Sequence, residues 1–161
     1  MTRTVLAADF GGTNLRAAIV DDSGKLLYRT EHPTPGTGTP QSIIVEVVEL
    51  LAAAVKASGQ TPAGACIATA GLINANEGKV ILAPNIPGFR NLVLTTPVAQ
   101  RLEIPAFIEN DASAAALGEF RFGAGRGTRH LLHATLGTGI GGGIVIDGRL
   151  YRGAKGLAGE I

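Results

Sequence analysis

A strand that ends in a glycine pair near the N-terminus limits the possible folds of this chain more than any other feature. Residues 6–21 are LAADFGGTNLRAAIVD, in which an apolar run reaches Asp9, Gly11 and Gly12 follow, and apolar residues then resume. The pattern predicts a β-hairpin with a carboxylate and the Thr13 hydroxyl near its tip. Glycines at such a turn can adopt positive φ and let a ligand reach the main-chain N–H groups, which bind phosphate oxygens. Asp9 beside the turn is suited to holding Mg²⁺ through water.

The same residues also suit an ordinary tight hairpin, in which Gly-Gly is common and an Asp only forms the turn. The whole string, however, resembles the first phosphate motif of the sugar-kinase, actin and heat-shock chaperone superfamily. DFGGTNLR resembles in particular the Asp-x-Gly-Gly-Thr-x-x-Arg motif of the ROK sugar kinases, to which Arg16 also belongs. The resemblance implies a Mg²⁺ ion positioned by Asp9. It further implies contacts from the turn to the β- and γ-phosphates of ATP, made by Gly11, Gly12 and Thr13.

Length and composition bound the kind of protein that carries this hairpin. The 161 residues suffice for one domain, or for one domain and part of another, and 45% of them are hydrophobic. A net charge of +1 gives no field that would select nucleic acid or an acidic membrane surface. The sequence shows no apolar run near the roughly 20 residues that span a bilayer, and no signal-peptide pattern. We therefore expect a cytoplasmic protein, with neither nucleic acid nor a membrane as partner, and a buried thiol at Cys66.

Three antiparallel strands are predicted at residues 4–9, 15–21 and 25–31. A helix is predicted over residues 40–58, because apolar residues recur there at helical spacing and Thr39-Pro40 and Gly59 supply start and stop signals. Further along the chain we predict a fully buried strand, a hairpin-like segment, a short helix and another strand, at residues 64–70, 79–82, 97–102 and 106–109. This order is that of an α/β protein with the ribonuclease H-like fold, to which the actin-like ATPases belong.

A second motif follows the last of these strands. Asn110 and Asp111 stand where an Ala-rich helix begins, and both residue types are preferred helix caps, which alone could explain them. The stretch IENDASAAALGEF also resembles the ROK sugar kinases, which carry Glu-Asn-Asp-Ala at this point. The resemblance implies that Asp111 is the catalytic base and that Asn110 binds sugar. The family usually has a second Asn where this chain has Ser113, and this difference concerns substrate detail more than the chemistry.

The chain repeats its opening pattern after Arg126. Residues 132–147, LHATLGTGIGGGIVID, align without gaps on residues 6–21 with four identities. A glycine-dense run suits a flexible linker, but apolar segments flank this one on both sides. LGTGIGGG resembles the family's second phosphate motif, in a superfamily built of two related domains with nucleotide between them. The resemblance implies phosphate contacts from a second hairpin, made by Gly137, Thr138 and Gly139.

The last residues, GLAGEI, resemble the beginning of the family's Gly-x-x-Gly-Glu-Ile-Gly-His motif. The resemblance implies that Glu160 holds sugar hydroxyls. The family's next His, its cysteine-rich structural zinc site and its adenosine pocket have no counterpart in this sequence. We therefore predict a complete first domain over residues 1–122 and the incomplete start of a second over residues 123–161, which is about half of a kinase at ~100–200 residues per domain. We expect this chain alone to be inactive.

The resemblance as a whole implies an ATP-dependent hexose kinase, glucokinase-like, that phosphorylates the sugar 6-hydroxyl in glycolysis. Gly71 joins the sugar site because it follows a predicted parallel strand, at whose carboxyl end ligands collect in α/β sheets. The remaining sugar-binding candidates are Asn85, Asn110, Asp111 and Glu160. The full-length kinase is expected to form a homodimer. The choice of hexose, and of ATP or polyphosphate as donor, stays open.

Two other function classes share the scaffold. ROK proteins include sugar-responsive repressors, but these carry a DNA-binding helix-turn-helix before the kinase-like region, and here Val5 already begins the first predicted strand. A nucleotide-driven chaperone or filament protein of the wider superfamily would not explain why IENDAS and GLAGEI occur together. Because function follows the site rather than the fold, the kinase is the preferred hypothesis.

Overall fold

The computed structural model of this chain describes residues 2–86, 88–136 and 139–160. These residues form an alternating α/β structure in two compact units, residues 1–109 and 110–161. In chain order the elements are β1 (Thr4–Phe10), β2 (Asn14–Asp21), β3 (Leu26–Pro33), α1 (Pro40–Ser58), β4 (Ala65–Thr69), β5 (Leu72–Asn74), β6 (Lys79–Leu82), β7 (Arg90–Val93), α2 (Thr95–Leu102), β8 (Ala106–Asn110), α3 (Asp111–Phe122), β9 (Leu131–Leu136), β10 (Ile140–Ile146) and β11 (Arg149–Leu150).

A five-stranded sheet with the strand order β3-β2-β1-β4-β8 is the main layer of the first unit. β1 pairs antiparallel with β2, so that Asp9 lies opposite Arg16, and it pairs in parallel with β4. One face of β1 is buried because alternate residues, Leu6, Ala8 and Phe10, are at most 5% exposed. The three antiparallel strands predicted from the sequence are confirmed, and β1 and β2 form the predicted hairpin.

Helix α1 covers this sheet and has the bounds that the sequence predicts. The Thr39 hydroxyl accepts a hydrogen bond from the Ser42 amide, while Gly59 ends the helix in the left-handed region with φ 63°. The apolar face that packs into the core includes Ile44, Val47 and Leu51. The buried stripe at helical spacing therefore holds α1 against the strands that carry the hairpin.

A second, three-stranded antiparallel sheet, β5-β6-β7, also belongs to the first unit. The sequence indicates only its central strand at residues 79–82. The flanking strands contain three and four residues, too few to show a period of two. This small sheet supports the loop that carries Asn85.

The interpretation of residues 64–70 as a fully buried strand is wrong. β4 alternates, with Ala65 and Ile67 buried and Cys66 exposed. Apolar residues on both faces of a strand do not show which face is covered, and the prediction of a buried Cys66 fails for the same reason.

Within the described residues, no helix is long and apolar enough to cross a membrane.

The second unit consists of α3 and the antiparallel sheet β11-β10-β9. α3 packs against both β9 and β10. A Cβ on Gly143 would come within 2.5 Å of the Ala116 Cβ, so this helix and strand lie closer than side chains would allow. The contacts group α3 with the second unit, whereas the predicted domain boundary falls after it; that boundary at residue 122 stays a prediction.

Leu51→Ala should show how much α1 contributes to the first unit. Leu51 is fully buried, and removing its side chain should lower the free energy of unfolding by about 2–5 kcal/mol through lost burial and a residual cavity. Val45→Ala on the same helix is the control, since Val45 is 62% exposed and should change stability by no more than about 0.5 kcal/mol. Urea unfolding followed by circular dichroism measures both. Equal effects would contradict the packing described for α1.

Candidate functional site

The turn of the β1–β2 hairpin is closed by its own backbone. The Gly11 amide donates to the Asn14 carbonyl at 3.0 Å. Neither Gly11 nor Gly12 has positive φ, so the expected use of the glycines for left-handed backbone is wrong. Gly12 is needed for space, because a Cβ there would lie 2.9 Å from the Asn85 carbonyl oxygen and 3.1 Å from the Asn85 Cβ. The turn and the Asn85 loop therefore touch through their backbones.

Phe10, the residue before the turn, is anchored by β4 and by the loop that follows β6. The fully buried Thr69 donates its hydroxyl to the Phe10 carbonyl at 2.9 Å. The Phe10 ring meets the Phe89 ring edge to face, with centroids 5.2 Å apart. Both rings are at most 1% exposed, so the strand end that carries Asp9 and Gly11 rests on a packed aromatic pair.

The other side of the turn is held by the loop that follows β3. The Thr34 hydroxyl donates to the Gly11 carbonyl at 2.6 Å, and the Thr34 amide donates to the Thr13 carbonyl at 2.8 Å. These bonds occupy carbonyl groups of the turn. Gly12 and Thr13 themselves are exposed, as a binding surface requires.

Asp9 belongs to a row of charged side chains on the exposed face of the main sheet. Arg16 donates to the Asp9 carboxylate through Nη1 at 3.0 Å and contacts Glu31 through Nε at 3.3 Å. These contacts raise the pKa of Arg16 above its usual value, Glu31 contributing more than Asp9. The Arg16 guanidinium in turn holds the pKa of Glu31 below its usual value. The sequence suggests no role for Arg16. In the structure Arg16, on β2, links Asp9 on β1 to Glu31 on β3.

Asp9 is the residue that fits a magnesium ion on this hairpin. Mg²⁺ in nucleotide sites is usually held by one or two carboxylates, the remaining ligands being water and phosphate oxygens. Asp9 supplies one carboxylate beside an exposed turn. No cluster of three or more metal-binding side chains occurs in the part of the chain that the structure describes.

Two predicted sugar-binding residues lie in the first unit. Asn85 is exposed on a loop anchored by Ile86 and Phe89, each 1% exposed, and this loop brings it to Gly12. Gly71 has φ 112°, and a Cβ on it would lie 2.3 Å from the Leu82 carbonyl oxygen. Close packing against β6 therefore requires glycine at this position, and a sugar contact from Gly71 stays a prediction.

Asn110 serves as the N-cap of α3. Its Oδ1 accepts a hydrogen bond from the Ser113 amide at 3.0 Å, which turns the side-chain NH₂ group toward Glu160, with Nδ2 and Oε1 3.5 Å apart. Asp111 begins the helix, and its Oδ1 accepts from the Ala112 amide at 2.9 Å. The capping and sugar-binding interpretations of Asn110 are thus compatible, since its side-chain carbonyl oxygen caps the helix and its side-chain NH₂ group is a donor. The predicted residues Asn110, Asp111 and Glu160 all lie in the second unit.

The second predicted phosphate motif is described only in part. Gly137 and Thr138 lie outside the described residues. Gly139 is exposed just before β10, and a Cβ on it would meet nothing within 4 Å. Its role in phosphate binding stays a prediction.

Three supporting residues escape analysis of the sequence alone: Glu31, Thr34 and Thr69. Thr34 stands in the loop of Pro, Gly and Thr residues, where no local pattern distinguishes it from its neighbours. Glu31 becomes relevant only through the register that pairs it with Arg16. Thr69 had a usable signal, because a polar residue at the end of an apolar strand needs a hydrogen-bond partner.

Comparison with known protein sequences finds one family and several relatives that match nearly all of this chain. A sequence model of the ROK family matches residues 5–161. A glucokinase from Streptomyces coelicolor is 41% identical over 158 residues, which are 97% of this chain and 48% of that protein. A xylose repressor from Caldicellulosiruptor bescii is 32% identical over 162 residues, 98% of this chain and 40% of the repressor.

The structure is similar to that of a ROK family glucokinase from Streptomyces griseus in complex with glucose and AMPPNP. The TM-score is 0.86 at 39% identity, covering 98% of this chain and 49% of that one. The predicted fold, α/β of the ribonuclease H-like and actin-like type, is confirmed. The chain spans about half the length of the glucokinases it matches.

Acid titration should reveal the bridge made by Arg16. The pKa of Glu31 is lowered in the folded chain, so the bridge should stabilise the fold at pH values above 4.5, the usual pKa of a Glu side chain. This contribution should be lost as the pH falls through the lowered pKa. Carbon-detected NMR should give a Glu31 midpoint below 4.5, and Arg16→Gln should raise it. Arg29→Gln is the matched control and should move the midpoint less, since its contact with Glu31 contributes less. An unchanged midpoint in Arg16→Gln would contradict the bridge.

Proposed function

The chain belongs to the ROK family, and from this premise we propose that it supplies the first phosphate hairpin and the sugar site of an ATP-dependent hexose kinase. Glucose is the preferred substrate, because the S. coelicolor and S. griseus relatives are glucokinases. The reaction is transfer of the γ-phosphoryl group to the sugar 6-hydroxyl.

The observation that carries this proposal is the arrangement at the start of α3. Asp111 follows Asn110 directly in the chain, and the Asn110 side-chain NH₂ group is turned toward a second carboxylate, that of Glu160. Sugars are recognised by such alternating donors and acceptors, which bind hydroxyl groups pairwise. We assign Asp111, the neighbour of Asn110 in the chain, as the base that acts on a sugar bound by Asn110 and Glu160.

The proposed chemistry requires little of the base. As the 6-oxygen of the sugar forms its bond to the γ-phosphorus, the bond from that phosphorus to the bridging oxygen of ATP breaks and ADP leaves. The hydroxyl proton passes to Asp111, and we assign Oδ2 to this step because Oδ1 accepts from the Ala112 amide. Phosphoryl transfer has a loose transition state, so the orientation of the hydroxyl matters more than the strength of the base.

The hairpin residues have the complementary role of holding the triphosphate. We assign the turn, Gly11, Gly12 and Thr13, to the β- and γ-phosphates, and we propose phosphate contacts for Gly137, Thr138 and Gly139 of the second motif. Mg²⁺ held through water by Asp9 would neutralise phosphate charge when bound. The supports from Thr34 and Thr69 keep the turn in one conformation, which lowers the entropic cost of binding.

Further features of the whole protein are also proposals. Because the relatives are about twice as long as this chain, we propose that residues 1–161 alone lack turnover. The complete enzyme is proposed to act as a cytoplasmic homodimer in glycolysis, with the family's structural zinc bound outside these residues. Asn85 and Gly71 of the first unit are proposed as further sugar contacts.

A sugar-responsive regulator is the second candidate, supported by the 32% identity to a xylose repressor. Such a protein would bind sugar through the same residues without transferring phosphate. The two candidates therefore differ in turnover rather than in sugar binding. Formation of ADP with glucose distinguishes them.

Asp111→Asn tests the kinase in the natural polypeptide that carries residues 1–161. The substitution keeps the shape of the side chain, so glucose affinity should persist while kcat falls by about 10²–10⁴, the usual contribution of a general base. Glucose-dependent release of ADP in a coupled assay gives kcat, and calorimetry gives the affinity.

Asp22→Asn is the matched control for this experiment, since Asp22 is an exposed residue in the turn after β2. It should leave both values unchanged. Unchanged turnover in Asp111→Asn would remove Asp111 as the base. A wild-type protein that binds glucose but releases no ADP would favour the regulator.

A further inference from the structure

The glycine run of β10 contacts a second backbone segment near the C-terminal end of the described chain. A Cβ on Gly142 would lie 2.5 Å from the Gly159 carbonyl oxygen. Reciprocally, a Cβ on Gly159 would lie 2.7 Å from the Gly142 carbonyl oxygen and 3.1 Å from the Gly143 Cα. The two backbones thus cross with no room for a side chain on either. We call this contact the glycine crossing.

The neighbours of Gly142 face the other way. Along a strand successive residues point to opposite faces, and a Cβ on Gly141 would meet the Ala112 Cβ at 2.9 Å, on the α3 side. Gly143 meets Ala116 of the same helix. β10 is therefore approached closely on both faces, by α3 on one and by the segment around Gly159 on the other. Consecutive glycines weaken a strand, so three in a row need such a reason.

The segment that ends at Glu160 is folded back on itself. The Ala158 amide donates to the Arg152 carbonyl at 3.1 Å, and the Glu160 amide donates to the Leu157 carbonyl at 3.3 Å. Gly159 itself has φ 96°, a conformation that other residues rarely adopt. The direction in which the Glu160 side chain leaves the backbone is therefore set by this turn and by the glycine crossing.

The close contacts on both faces of β10 meet at the sugar-site candidates. Gly141 and Gly143 hold the first turns of α3, whose N-cap is Asn110, and Gly142 holds the residue before Glu160. The Nδ2 of Asn110 and the Oε1 of Glu160 are 3.5 Å apart. The thickness of one glycine strand thus sets the separation of two groups that are far apart in sequence.

We propose that Gly142 and Gly159 are positioning residues for sugar binding, although Gly142 belongs to a motif expected to bind phosphate. By letting the two backbones cross, they place the Glu160 carboxylate against the Asn110 amide, so that both can engage neighbouring hydroxyl groups of one sugar. The sugar-binding part of this proposal rests on the proposed function. The positioning part rests on the contacts alone and can be tested without sugar.

Gly159→Ala and Gly142→Ala test the positioning in the 161-residue chain. In the wild type, NMR should show a nuclear Overhauser contact between the Asn110 side-chain amide protons and the Glu160 side chain. Both variants should lose that contact, because the added methyl group pushes the segments apart. The contact between the Ala116 methyl group and the Gly143 α-protons reports whether α3 still packs on β10, and it should survive in Gly159→Ala. If Gly142→Ala also loses the contact between Ala116 and Gly143, its effect on Glu160 cannot be separated from a displacement of α3, and the test then rests on Gly159→Ala.

Gly118→Ala is the matched control, since Gly118 lies on α3 and a Cβ there would meet nothing within 4 Å. It should keep both contacts. Glucose titration completes the test: Gly159→Ala should bind glucose about tenfold or more weakly, as expected for a misplaced charged partner, whereas Gly118→Ala should match the wild type.

The outcomes separate the two parts of the proposal. If Gly159→Ala keeps the contact between Asn110 and Glu160, or binds glucose as tightly as the wild type does, the positioning role is wrong. If the wild type shows the contact and Gly159→Ala loses it, but no chain that includes residues 1–161 binds glucose, then the positioning stands and the proposed sugar function fails.

Discussion

Backbone segments that lie closer together than a Cβ allows determine where the polar groups of both units are placed. Gly12 lies against Asn85 in the first unit, and Gly142 lies against Gly159 in the second. A Cβ on Gly12 in the first unit, or on Gly142 or Gly159 in the second, would force the segments apart. Gly12, Gly142 and Gly159 are thus required for packing, whatever else they contact.

Much of the first unit could be predicted because its signals are local. The cap at Thr39, the apolar stripe and Gly59 predict α1 to the residue, and alternation predicts the three antiparallel strands. The strands β5 and β7 could not be predicted, since their partners and not their own sequences hold them in place. The exposure of Cys66 could not be predicted either, because it depends on which face of the sheet another layer covers.

In the candidate site, too, the residues with local sequence signals could be predicted, and those that depend on contacts between distant segments could not. Asn110 and Asp111 can be proposed from the sequence for two reasons. A helix cap is a local feature, and the surrounding residues resemble a motif of known kinases. The roles of Thr34 and Arg16 depend on contacts between segments that no spacing reveals. LGTGIGGG, which includes Gly142, resembles a phosphate motif, whereas the structure places the backbone of Gly159 against Gly142.

Binding of a triphosphate at the turn of the β1–β2 hairpin is the central proposal, and amide chemical shifts test it directly. On titration of the ¹⁵N-labelled chain with MgAMPPNP, the amides of Gly11, Gly12 and Thr13 should shift. The amide of Gly59, at the end of α1 and outside the candidate site, should not. Shifts confined to the turn and its neighbours would support the account. An unperturbed turn at saturating nucleotide, with shifts elsewhere, would contradict it.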